Sequence, residues 1–230
     1  TLTFLEIILG IDNIIFISIL ASKVNKDKQR KTRNLGLFLA LIMRILLLLA
    51  IGWIVSLKDD VFVLFDNGYS WRDIILILGG MFLMYKSVTE IHVKVTGVDE
   101  ESEQKSKATV RGVILQIVLI DIVFSFDSIL TAVGMTNGVA GALYIMIAAV
   151  IISVLIMMLF AVPVGNFVNA NPSIQILGLA FLILIGFMLI TESMHLSDAE
   201  LAGQKVGAVP KGYLYFAIAF SLAVEFLNMK

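Results

Sequence analysis

Four carboxylates stand out because they lie inside apolar runs, where water cannot solvate them. The segment Glu6-Ile-Ile-Leu-Gly-Ile-Asp12-Asn13-Ile is echoed by Asp121-Ile-Val-Phe-Ser-Phe-Asp127-Ser128-Ile. In both, a carboxylate is followed after five residues by a second one, and then by a small polar residue. One acidic side chain at the centre of a membrane span costs on the order of 2.5–3.5 kcal/mol on insertion scales, so four would cost roughly 10 kcal/mol or more without compensation. A structural hydrogen-bond network between helices could account for them, but repetition in two separate segments favours an ion pathway. With Asn13, Ser128 and Gln116 nearby, the donor atoms are oxygen, which suits Mg2+, Ca2+ or Mn2+ better than softer metals. Zinc and copper sites draw on His or Cys. The chain has no cysteine, and its two histidines, His92 and His195, stand at the ends of apolar runs. Proton relay is the other chemistry that buried carboxylates support.

Six residues of ideal helix rise about 9 Å and turn through about 240°. Glu6 and Asp12 therefore cannot chelate one ion from an unbroken helix, nor can Asp121 and Asp127. Two arrangements remain. The helices could break near Gly10 or Ser125 and free backbone carbonyls for the ion. Alternatively the acids form two layers, Glu6 with Asp127 and Asp12 with Asp121. We expect Asp12 and Asp127 as the first direct ligands, then Glu6 and Asp121, with Asn13 and Ser128 beside them. Arg44, deep in the next apolar run, is the candidate counter-ion when metal is absent; a snorkelling arginine is the plainer reading. The second half offers only apolar residues around Ile147. Glu225 and Asn228 are candidate accessory groups, against a simple role in helix contacts. Glu90, Glu192, His92 and His195 read as interfacial, Lys86 as snorkelling, and the Gly79-Gly80 pair as packing.

Positioning these groups is the task of a chain that is 59% hydrophobic and 15% charged, with a mean hydropathy of +0.98. Soluble domains hold about 45–50% apolar and roughly 25% charged residues. Bilayer spans need roughly 20 predominantly apolar residues. Seven such stretches are predicted, at 1–21, 34–57, 73–93, 110–133, 139–163, 173–193 and 212–228. The class is an all-α, polytopic membrane protein forming a single membrane domain over 1–230. Thr1 stands where a Met is usual and the apolar run is under way at Leu2, so we read no cleavable leader. A net charge of −1 gives no reason to expect nucleic acid. The lipid bilayer and a divalent ion are the expected partners, with the oligomeric state left open.

Lys23, Lys26, Lys28, Arg30, Lys31 and Arg33 oppose a single Asp27 between the first two spans. Short cytoplasmic loops are enriched in Lys and Arg, so this loop is expected inside and the N-terminus outside, across a bacterial cytoplasmic membrane. Asp59, Asp60, Asp66 and Asp73 then fall outside, and the mixed-charge loop 94–111 inside. The acidic repeat, with a looser echo of Thr89-Glu90 in Thr191-Glu192, divides the chain into a first repeat (1–93), a second (110–193) and a seventh span (212–228). Three spans per repeat is odd, so the two repeats are inverted, as in many secondary transporters.

At these motifs the sequence resembles the TerC family of integral membrane proteins. The matching residues are Glu6 to Asn13, Asp121 to Ser128, and the segment from Tyr213-Leu-Tyr-Phe-Ala to Val224-Glu225-Phe-Leu-Asn228. The likeness covers nearly the whole chain. It implies an association with tellurite resistance, manganese efflux and metal supply to exported enzymes, and hence Mn2+; the residues alone imply a hard divalent ion. Some relatives carry extra cytoplasmic domains, and the resemblance leads us to expect a bare membrane core here, whether or not the native chain extends beyond it. The expected function is a transporter exporting such an ion by alternating access, and the alternative is a membrane partner that hands metal to other proteins without net transport. No enzymatic role is expected: the Gly-x-Gly-Asp segment of intramembrane aspartyl proteases is missing at Leu9-Gly10-Ile11-Asp12.

Overall fold

The computed structural model describes residues 2–56, 60–64, 67–97, 109–136, 138–201, 203–207 and 209–228, without the side chains at 5, 8, 9, 11, 12, 55, 56, 60, 62, 64 and 201. The acids Asp59 and Asp66 and the polar stretch 98–108 lie outside the described residues. Helices dominate: α1 (Leu2–Ser22), α2 (Lys26–Leu49), α3 (Ile51–Ser56), α4 (Trp71–Thr96), α5 (Val110–Thr136), α6 (Ala142–Ala170), α7 (Pro172–Leu196) and α8 (Lys211–Asn228). Between them, β1 (Asp60–Leu64) pairs antiparallel with β2 (Asn67–Ser70), and β3 (Glu200–Leu201) with β4 (Gln204–Lys205). Among the described residues five helices, α2, α4, α5, α6 and α7, are long and apolar enough to cross a membrane. In α1 the described apolar segment is Asn13–Ser22, within a helix of 21 residues.

The helices run past the limits set by hydropathy. α2 starts at Lys26, so Lys28, Arg30 and Lys31 lie on its first turns rather than in a loop. Asp73, expected in an external acidic loop, is buried in the first turn of α4. Its Oδ2 accepts from the Ser70 backbone N–H at 2.9 Å and from Ser70 Oγ at 2.5 Å. Ser70 Oγ is in turn 3.3 Å from the Asp73 N–H. This reciprocal pair satisfies donors that a helix start leaves without partners.

Backbone contacts divide the chain into two units, one of residues 1–51 and 93–178, the other of 52–92 and 179–230. In the first, α1 is the central helix: every residue from Asn13 to Ala21 is buried. A helix that is apolar all round is buried all round. α1 lies along α6, and α2 along α5 and α6. The directions follow from the contacts. Gly10 packs against Met157 and Ser18 lies beside Gly165, so α1 and α6 run parallel. Gly36 packs on Ile117 while Arg44 bonds Asp121, so α2 and α5 also run parallel. On α2, Leu35, Phe38, Ile42, Leu46 and Leu49 form an exposed apolar face, whereas Arg33, Gly36, Ala40 and Arg44 are turned inward. Charge inside and leucine outside is the arrangement a lipid solvent selects.

In the second unit α4 and α7 cross where two backbones touch. A Cβ on Gly80 would stand 2.5 Å from the Gly186 carbonyl oxygen, and one on Gly186 would stand 2.7 Å from that of Gly80. Ser193 Oγ donates to Asp73 O at 3.0 Å. Asp73 precedes Gly80 whereas Ser193 follows Gly186, so the two helices are antiparallel. Small residues permit such close approach, and van der Waals packing of this kind drives helix association in lipid. Outside the spans, Lys205 Nζ donates to Asp198 Oδ1 at 3.0 Å. That bond and the lysine's charge hold the exposed Asp198 carboxyl below the usual carboxylate range.

Candidate metal centre

Six residues carry the site in the first unit, and helical spacing explains why they meet. On α1, Glu6, Gly10 and Asn13 fall at i, i+4 and i+7, which is one face of a helix. On α5, Asp121, Ser125 and Ser128 fall at the same spacing. All six are buried. The repeated motif therefore presents two matching polar stripes, with Glu6 equivalent to Asp121 and Asn13 to Ser128.

Arg44 of α2 joins the stripes. Its Nη1 donates to Glu6 Oε2 at 2.8 Å. Its Nη2 donates to Asp121 Oδ1 at 2.8 Å, and its Nε lies 3.1 and 3.2 Å from the two Asp121 oxygens. Fork geometry of this kind combines charge with direction. Ser125 Oγ donates to Asp121 Oδ2 at 3.1 Å, while Ser128 Oγ donates to Ser125 O at 3.3 Å. The guanidinium is 3% exposed. A desolvated cluster of this sort is tolerable because each charge is both paired and hydrogen-bonded.

Several expectations change. Neither helix breaks: α1 and α5 are continuous α-helix through Gly10 and Ser125. Gly10 instead admits Met157, whose side chain occupies the space a Cβ would need. Among the described residues, one arginine joins Glu6 to Asp121. Asp127 is half-buried and lies off the stripe, as the turn of about 240° from Asp121 requires. The side chain of Asp12 lies outside the described residues. Glu225 and Asn228 are on α8 in the second unit, half-exposed and exposed respectively. Glu90, read as interfacial, is buried in the second unit with Lys86 Nζ at 3.3 Å. Among the described residues no group of three or more His, Cys, Asp or Glu is placed to hold a metal.

Two residues of unit one carry polar chemistry that sequence reasoning assigned elsewhere. Ser125, weighed only as a break point, completes the Asp121 stripe, and its i+4 spacing was a usable signal. Arg33, counted among the basic loop residues, is buried with Nη1 2.6 Å from Ala161 O.

A family model described as "Integral membrane protein TerC family" matches residues 1–230. The chain is 46% identical over 229 residues to the UPF0053 inner membrane protein YgdQ of Escherichia coli K12, covering 100% of this chain and 90% of that protein. A UPF0053 protein of Haemophilus influenzae is 46% identical over 231 residues, covering 100% and 91%. The UPF0053 inner membrane protein YoaE of Escherichia coli K12 is 43% identical over 229 residues, which are 99% of this chain and 41% of the relative. No solved structure matches the chain. A full-length family match and relatives of this similarity agree with the apolar helices and their inward charges: the chain is a multi-pass membrane protein and belongs to the TerC family of integral membrane proteins.

Proposed function

We propose that the protein is a transporter that exports a hard divalent cation, Mn2+ foremost, by alternating access of two inverted three-helix repeats around buried carboxylates. The observation that carries this reading is Arg44 tying Glu6 to Asp121. These acids are equivalent positions of the two repeats, so the charge cluster sits where the repeats meet within the first unit. Two carboxylates carry −2 and the guanidinium +1. A divalent ion balances both acids, so cation and Arg44 compete for the same oxygens. Asp12 and Asp127 are proposed as further ligands and Asn13 and Ser128 as neutral oxygen donors. That all-oxygen set suits Mn2+, with Ca2+ and Mg2+ as the other candidates.

Helix direction supports the inverted plan. If spans alternate, the first and fifth must run the same way, as must the second and fourth, while the third and sixth must oppose. The α1–α6, α2–α5 and α4–α7 pairs have those directions. The basic start of α2 supports a cytoplasmic position for that end and an external N-terminus.

Mn2+ flux into proteoliposomes tests the function. Wild-type protein should move Mn2+, and Glu6→Gln and Asp121→Asn should abolish flux while still inserting. Metal binding without flux would instead favour the delivery partner.

A further inference from the structure

Arg33 is buried, 3% exposed, and among the described residues it has no carboxylate partner. Its Nη1 donates to Ala161 O at 2.6 Å and reaches Val162 O at 3.4 Å. These are the two carbonyls before Pro163 of α6; the helix bond that the proline removes is the one to the Leu159 carbonyl, four residues earlier. Its Nε is buried and has no hydrogen-bond partner. Space for the guanidinium comes from Gly165, where a Cβ would overlap Arg33 Nη1 and lie 2.7 Å from Ser18 Oγ. Ser18 Oγ is also buried and without a partner.

A leucine or methionine would pack α2 on α6 at far lower cost than a desolvated charge. The charge therefore calls for a role. Arg33 and Arg44 are eleven residues apart on α2, which places them on one face, within about 20° and about 16 Å along the axis. Both reach from the first repeat to the second, Arg44 to Asp121 on α5 and Arg33 to Ala161 on α6. Their acceptors differ. Carboxylates hold Arg44 strongly, whereas neutral carbonyls hold Arg33 more weakly, as a contact that must open requires.

We propose that Arg33 is a gate: a latch between α2 and the Pro163 region of α6 that closes the path to the carboxylates from the end where α2 begins, its charge barring cations until it parts. The proposal rests on the transport reading and adds the closure that alternating access needs at that end.

The chain has no cysteine, so Ser18→Cys is a single reporter beside the latch. In proteoliposomes, a membrane-impermeant maleimide applied from the Lys28 side should label Ser18→Cys slowly. Adding Arg33→Gln should speed labelling by about tenfold or more, the population shift expected from losing one charge-assisted hydrogen bond. Arg33→Met, which keeps an unbranched side chain but removes the charge and the donors, should do the same, and Arg33→Lys should restore protection. Melting curves of each variant identify any global loosening, and Arg33→Met carries the test if Arg33→Gln fails to fold. Unchanged labelling in both variants overturns the latch even if the wild type moves Mn2+. Faster labelling in a protein that moves no Mn2+ supports the latch and overturns the transport reading instead.

Discussion

Arg44 grips Asp121 with two nitrogens but Glu6 with one. The two acids are equivalent in the repeated motif, yet the arginine that bridges them has no equivalent, so the cluster is asymmetric. Breaking a buried pair by removing one partner typically costs about 3–5 kcal/mol. Asp121→Asn should therefore destabilise the metal-free protein more than Glu6→Gln, with the difference visible in detergent melting curves. Equal melting temperatures would mean that the fork contributes no more than the single bond.

Arg44→Gln tests the proposed competition between cation and guanidinium. It leaves Glu6 and Asp121 facing each other without compensation, so the metal-free variant should melt well below wild type. Added Mn2+ should then stabilise the variant more than it stabilises wild type, because no guanidinium has to be displaced. A smaller metal-dependent shift in Arg44→Gln would contradict competition and leave Arg44 as a structural tie.

How much of this site could be read from residues alone depends on which spacing is used. Matching by identity pairs Asp121 with Asp127, because both are carboxylates. Matching by helical face pairs Asp121 with Ser125 and Ser128, and the fold follows the face. Five of the seven expected spans coincide with described helices long and apolar enough to cross a membrane, because lipid demands long apolar runs, but their ends were not legible. Lys28, Arg30 and Lys31 signal one side of the membrane for that end through charge, yet lysine and arginine are also good helix formers and so continue α2. Ser70-Trp-Arg-Asp73 carries a capping signature that sets the start of α4. Arg33 looked like its basic neighbours because its burial depends on Gly165, far away in sequence.

The ion can be checked by titrating purified protein with Mn2+ and Zn2+. Oxygen ligands without His or Cys should favour Mn2+ once geometry and metal availability are allowed for, against the intrinsic order of affinities. Asp12→Asn and Asp127→Asn should each abolish flux, since the substitution keeps size but removes the charge that offsets a divalent ion. Asp198→Asn, on an exposed loop, should transport like wild type. Tight zinc binding with no response to manganese would contradict the hard-ion assignment.

The proposed sidedness rests on the basic start of α2. Single cysteines at Lys28 and Asn67 should react with an impermeant reagent from opposite faces of the membrane, because α2 and α3 separate them. Labelling of both from one face would remove the alternating topology, and with it the inverted repeat.

Glycines that look alike in sequence should respond in opposite ways to alanine. At Gly80 a Cβ would meet the Gly186 carbonyl at 2.5 Å, and neither backbone can yield without separating α4 from α7. Overpacking of this kind costs about 1–3 kcal/mol, so Gly80→Ala and Gly186→Ala should each lower the melting temperature. Their effects should be less than additive, because either change alone already forces the two helices apart. Gly134, inside α5, has nothing within 4 Å of its added Cβ. There alanine removes backbone entropy without meeting a neighbour, and Gly134→Ala should stabilise the protein by about 0.5–1 kcal/mol. If Gly80→Ala leaves the melting temperature unchanged or raises it, the close crossing of α4 and α7 is not what holds the second unit together.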